Sequence, residues 1–407
     1  MKKKIFVRGP VLSQSGYGEQ ARFALRALKS KEDLFDIYVQ PVPWGQTGWV
    51  WEESEFRSWL DSKITVTQIL MQKNQLQPDI SLQITIPNEF QKLCPVNIGY
   101  TAGIETSKVS PQWLQKGNEE VDKILVVSNH SKTTYQNTVA QATNNQTGET
   151  FPYKLETPIE VVWETTPRAE PEPINEISLD YDNNFLMISQ MGPRKNFSNA
   201  IKWWVEEFID QEVGLIVKTN IKSNSIIDWE HLETHMKNLL KPYTNRKCKV
   251  YVLHGDLTAG QMAWLYNHNK VKALVNIAHG EGFGLPLFEA AREALPIITV
   301  GWSGQMDFLH HDGKDYFESV EFTMGPIHQE AVWDGVLERD SMWAYADQGS
   351  YKMTLRKTLK NWPKIKERAE ALSTIIGEKF NEEKLFAGFC DAVYDPSKDD
   401  NESITIL

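Results

Sequence analysis

The chain has 407 residues, 24% of them charged and 41% apolar, with a formal net charge of -11. That length exceeds what one hydrophobic core usually supports, so two domains are expected. The acidic balance offers no overall attraction to nucleic acid or anionic membrane, and no apolar run nears the roughly 20 residues of a transmembrane segment.

The opening MKKKIFVRGP has lysines but no apolar stretch or cleavage site behind them, so it reads as the start of a strand and not as a signal peptide. Short apolar or β-branched runs predict strands at Lys4–Arg8, Asp36–Gln40, Asp79–Thr85, Val96–Thr101, Lys123–Ser128 and Ile159–Trp163. Amphipathic helices are expected over Gly18–Lys29 and Pro111–Glu120. Ala140–Thr150 (AQATNNQTGET) reads as a surface loop, and Thr166–Asn183, rich in proline and acid, as a linker. Beyond it, strands are expected at Asn184–Gln190, Gly214–Thr219, Lys249–Leu253, Ala273–Ile277 and Ile297–Val300. The helical patterns there are Asn196–Ile209, Thr258–Asn267 and Pro286–Ala294, followed by the strongly helical Leu355–Tyr394. Alternating strands and helices with nearly all-apolar strands predict an α/β fold of parallel, doubly wound sheets, occurring twice. The expected domains are residues 1–168 and 183–380, with a last helix near 382–397 packing back on the first. Ligands are then expected where the carboxyl ends of the two sheets face each other across a cleft. Cys94, Cys248 and Cys390 have neither metal-ligand nor redox spacing, which suits a reducing cytoplasm. The fourteen tryptophans are expected mainly in cores and groove walls.

The richest segment is His279–Gly301, HGEGFGLPLFEAAREALPIITVG. Gly280, Gly282 and Gly284 follow an apolar strand, and Pro286 fits a first helical turn. Such a turn leaves helix N–H groups free at the positive end of the dipole, where phosphate binds. Glu289, one turn in, reaches back toward the ligand and suits a ribose diol; Glu281 suits sugar hydroxyls. Two glycines alone would mark an ordinary turn; the ordered set of strand, acid, glycines, proline and second acid is far more specific.

Glu281-Gly-Phe-Gly-Leu-Pro-Leu-Phe-Glu289 resembles the E-x7-E signature of retaining GT-B glycosyltransferases, especially glycosyltransferase family 4. The resemblance implies a GT-B fold and a nucleotide-sugar donor, with Glu289 on the ribose and Glu281 on the donor sugar. It also implies that the backbone of Gly282, Phe283, Gly284 and Leu285 faces sugar and diphosphate. FLMISQMGPRKN resembles a second family segment in which Lys195 binds the diphosphate; Gln190 stands where many members carry a second cation, and Arg194 is the compensating candidate. GPVLSQSGYGEQAR resembles the amino-terminal glycine loop, with Gly16 and Gly18 near the diphosphate. VNIGYTAGIETSKV lacks the histidine usual there, leaving Glu105 and Thr106 as polar candidates and Glu105 as the third catalytic candidate beside Lys195 and Glu281. His130 reads as a helix-start histidine, and Asp307 falls where an acid is usual.

No Asp-x-Asp or His/Cys cluster accompanies these motifs, so neither metal nor cofactor is expected. Acceptor contacts are expected from Gln14–Gly18, Trp44–Trp51 and Ala102–Lys108, for a glycan or small molecule first. Modified DNA stays open if Lys2–Lys4, Arg8 and Arg22 charge the groove. The rival readings are a nucleotide-sugar epimerase and a non-catalytic GT-B binding protein. A Rossmann dehydrogenase is disfavoured by the missing third glycine and acid.

Overall fold

The computed structural model describes residues 2–144 and 146–399. Its first half runs β1 (Lys3–Gly9), α1 (Gly16–Lys29), β2 (Phe35–Pro41), α2 (Glu55–Gln72), β3 (Ile80–Ile84), β4 (Val96–Thr101) and α3 (Pro111–Glu120). Then come β5 (Lys123–Val126), α4 (Asn129–Asn137), the hairpin of β6 (Ala140–Thr143) and β7 (Thr150–Tyr153), and β8 (Ile159–Val161). Six of these strands form an all-parallel sheet in the order β2-β1-β3-β4-β5-β8. Ile5, Val7, Ile37, Val39, Leu82 and Ile84 are each at most 2% exposed, which is why these runs are apolar.

The second half runs β9 (Asn184–Ile188), α5 (Phe197–Phe208), β10 (Gly214–Thr219), α6 (Ile226–Leu240), β11 (Lys249–His254), α7 (Ala259–Asn267), β12 (Val271–Asn276) and α8 (Leu285–Arg292). It continues through β13 (Ile297–Val300), α9 (Met306–Leu309), the short β14 (His310–His311) and β15 (Lys314–Asp315), and β16 (Glu318–Val320). A hairpin of β17 (Phe322–Pro326) and β18 (Met342–Ala346) precedes α10 (Gln348–Lys360), α11 (Trp362–Lys379) and α12 (Glu382–Val393). The second parallel sheet has the order β11-β10-β9-β12-β13-β16. Strand order reverses between β1 and β3 in one sheet and between β9 and β12 in the other, the crevices where open sheets take ligands.

Thr166–Asn183 carries no helix or strand. Helix α12 lies on the first half, with Phe389 centred 5.6 Å from Phe23 and 5.4 Å from Tyr100. No helix among the described residues is long and apolar enough to cross a membrane. Three of the fourteen tryptophans, Trp49, Trp51 and Trp333, are exposed.

Several expectations need correction. Ala140–Thr150 is largely a hairpin, turning through Gly148 at φ +74 with Asn144 and Glu149 bonded across it; residue 145 lies outside the described residues. Gly16 and Gly18 lie inside the first turn of α1, because Ser15 caps the helix by accepting from the Gly18 N–H. The last helix stops at Val393, and a separate short one covers Pro396–Asp399. Lys2–Lys4 stand at the amino end of β1, opposite the sheet edge that faces the cleft, and Arg22 is buried on the Val11 and Ser13 carbonyls and Glu19. Arg8, toward the carboxyl end of β1, is half-buried.

The β17–β18 hairpin was not foreseen, and its connection is an arm reaching the first half. Gly335 O accepts from Asn88 Nδ2 at 2.9 Å, Lys108 pairs with Asp340, and Val336 packs against the cluster around Phe90 and Trp113. Ser107 and Met342 exchange bonds, each backbone N–H donating to the other residue at 2.9 Å.

Candidate functional site

Four of the candidates, Arg194, Lys195, Glu281 and Glu105, meet where loops of the two sheets face each other. Arg194 and Lys195 occupy a single helical turn, Pro193–Lys195, soon after β9, and Glu281 follows β12, the neighbouring strand. Lys195 Nζ reaches both Glu281 oxygens, at 2.6 and 2.7 Å, and Asn276 Nδ2 donates to one of them at 3.0 Å. Arg194 Nη1 donates to Gly280 O at 2.7 Å and lies 3.2 Å from Glu281, while Nη2 crosses the cleft to Glu105 at 2.8 Å. Two acids and two cations, drawn from both halves, form one network.

Burial shapes their titration. It pushes Glu281 upward, but Lys195 and Arg194 outweigh it and hold the carboxyl at about 2. Burial dominates at Glu105, whose carboxyl stays above the ordinary range despite Arg194 and Lys195. Burial and the adjacent Arg194 lower Lys195, with Glu281 opposing them.

The backbone around Glu281 is fixed from several sides. Its N–H donates to Ser303 Oγ and its carbonyl accepts from the Gly304 N–H, both at 2.9 Å. Gly282 lies so close to the first half that a Cβ there would sit 1.9 Å from Ala102 O; at Gly280 the clash would be with Glu105 O at 2.1 Å. Gly284 caps α8 at φ +93, a conformation glycine takes freely, and Pro286 opens the first turn. The N–H groups of Leu285 and Leu287, in the first turn of α8, have no intrahelical partner, and Pro286 carries none. Leu285 is half-buried there, and Phe283 turns into the core against Phe288 and Phe308.

Glu289 sits one turn along α8 and accepts from Tyr266 Oη at 2.8 Å; burial keeps its carboxyl above the ordinary range. Gln190 is exposed, its Nε2 spent on Ile221 O at 2.7 Å, and lies outside the network. Gly16 is exposed at the start of α1, and a Cβ at Gly18 would meet Ser13 O at 2.0 Å. His130 is in the first turn of α4, 4.9 Å from the Trp302 ring across the cleft, and burial lowers it to about 4. Thr106 is buried and bonds Lys108 O.

Tyr17 was missed. Its hydroxyl lies 2.7 Å from Thr101 Oγ1 and accepts from the Gly103 N–H at 3.0 Å, so α1 fixes the loop that carries Glu105. Its position between two glycines was the available signal. Asp307 Oδ2 accepts from the Asn129 N–H, Asn129 Nδ2 and Trp163 Nε1, at 2.8, 3.0 and 2.7 Å, tying the second half to the start of α4. Trp44 lies tilted against Tyr17 with ring centres 4.4 Å apart, while Trp49 and Trp51 are exposed. No group of three or more metal-ligating side chains occurs among the described residues.

Two facing Rossmann-like sheets with this crevice between them define the GT-B fold, and solved structures agree. HepE of Anabaena, solved with UDP and glucose, is 11% identical over 96% of this chain and 98% of its own, with a TM-score of 0.57. The E. coli structure described as trehalose-6-phosphate bound with UDP-2-fluoro glucose is 11% identical over 97% and 99%, with a TM-score of 0.58. A glycosyltransferase from Rickettsia africae is 12% identical over 97% and 99%, with a TM-score of 0.57. No protein-family model and no curated protein matches the chain.

Proposed function

We propose that the chain is a glycosyltransferase related to family 4, transferring a sugar from a nucleotide-sugar donor with retention at the anomeric carbon. The observation that carries this is the meeting of Lys195, Arg194 and Glu281 at the β9–β12 crevice, beside the amino end of α8. A cation pair and a helix start suit a diphosphate leaving group, whose growing negative charge they would stabilise. Glu281 suits hydroxyls of the donor sugar, and Glu289 a ribose diol. The fold neighbours described with UDP and glucose or with UDP-2-fluoro glucose support a uridine donor as the first trial.

In this reading the departing diphosphate helps to take the proton from the acceptor hydroxyl, and no divalent ion is required. The acceptor is a glycan or small molecule, since the net charge of -11 offers no overall attraction to a polyanion and Lys2–Lys4 stand at the amino end of β1, away from the cleft. Glu281 and Glu289, spaced as E-x7-E, favour transfer over epimerisation. The test is turnover of labelled nucleotide sugars against an acceptor panel. Lys195→Ala should lower kcat by about 100-fold or more; an unchanged kcat, or an inverted product by NMR, overturns the assignment.

A further inference from the structure

Resting on the donor-site reading above, we propose that Arg194 is an exchangeable anion clamp. It binds Glu105 while the site is empty and turns to the diphosphate when a nucleotide sugar arrives, supplying the cation that Gln190 lacks. The guanidinium is built for such an exchange. One prong, Nη1, is anchored on Gly280 O at 2.7 Å within its own half, and the other, Nη2, holds Glu105 across the cleft at 2.8 Å. The second prong can change partner while the first keeps its place, because a planar fork matches carboxylate and phosphate equally well.

Charge balance decides which acid gives way. Glu105 and Glu281 face Arg194 and Lys195, so the empty network is neutral. A diphosphate ester adds about two negative charges, and four negatives against two positives in a partly desolvated crevice are strongly unfavourable. Glu281 is held by both oxygens on Lys195 and by Asn276, whereas the ion pair of Glu105 among the described residues is with Arg194. Burial already favours the protonated form of Glu105, and the groups facing it beside the two cations are Glu281 and Tyr17. Tyr17 is itself pushed up to about 12 by burial and stays a neutral hydroxyl. Glu105 is therefore the acid that loses its partner, and it takes up a proton as the diphosphate binds.

Calorimetric titration with UDP near neutral pH, in two buffers of different ionisation enthalpy, tests the clamp. The wild type should bind UDP with net proton uptake. Glu105→Gln should abolish that uptake and tighten UDP by about tenfold, and Arg194→Gln should weaken UDP by about tenfold. In the double variant, which leaves no unpaired buried charge, the gain from Glu105→Gln should vanish. Wild-type binding without proton uptake, or additive effects of the two substitutions, overturns the clamp while leaving the donor site standing. Failure of UDP, GDP and ADP alike to bind the wild type overturns the donor-site reading itself, and the clamp with it.

Discussion

Glu164 lies just beyond β8, 3% exposed, and its Oε2 has no hydrogen-bond partner among the described residues. Burial, reinforced by the charge of Glu19 and opposed by Arg26, raises its carboxyl to about 8 from the ordinary 4.5. The gap, about 8 less 4.5, is roughly 3.5 decades in proton affinity. At about 1.4 kcal/mol per decade it corresponds to on the order of 5 kcal/mol. The folded state holds this proton more tightly than the unfolded chain does. Its stabilising effect is thus complete below pH 4.5, is lost as pH rises toward 8, and stays lost above that. Glu164→Gln keeps the shape and cannot ionise. Urea denaturation should place it close to wild type near about pH 5 and about 2 to 4 kcal/mol above it near about pH 8.5, allowing for relaxation around a buried charge. A difference between variant and wild type that stays flat over that range would refute the buried-proton account.

Gly282→Ala puts a Cβ 1.9 Å from Ala102 O, so the two loops must part by at least 1.1 Å to reach the 3.0 Å floor for such contacts. Misplacement on that scale should lower kcat/KM by about 100-fold with the circular dichroism spectrum unchanged, and activity within about twofold of wild type would count against loop contact as a requirement. Glu289→Ala should weaken nucleoside diphosphate binding by about tenfold in calorimetry, and unchanged affinity would remove the ribose assignment. Asp307→Ala leaves three donors without their acceptor and should destabilise the protein by about 2 kcal/mol in urea denaturation; wild-type stability would show that water replaces the carboxylate at no cost.

Both parallel sheets were legible because strands buried on two faces must be apolar nearly throughout, as in FLMI of β9 and LIV of β10. Helix α2 was not, because only Leu60, Ile64 and Thr67 of its eighteen residues are buried and its stripe is thin. Helix α4, NHSKTTYQN, is polar almost all round and is held by its cap, where Ser128 accepts from the Ser131 N–H. At the site, Glu281 and Lys195 could be paired only through motif order. The reach of Arg194 to Glu105 depends on two loops 89 positions apart meeting across the cleft, and no local pattern encodes that. The commitment of Gln190 to Ile221 O is equally a matter of tertiary placement.

Apolar and polar contacts both join the two halves across the cleft. On one side Phe380 packs on Trp163 at 5.1 Å and on Phe288 at 5.6 Å, an aromatic cluster that links the halves and loses its burial if they separate. Across the mouth the links are polar: Arg194 with Glu105, Lys108 with Asp340, and Ser107 with Met342. Polar pairs can exchange protein partners for water or for a ligand at modest net cost, whereas apolar burial has no such substitute. Glu105 is one of those polar links, and its partner Arg194 stands with Glu281 near the amino end of α8, so the charges that join the halves here are the same charges an incoming anion would meet.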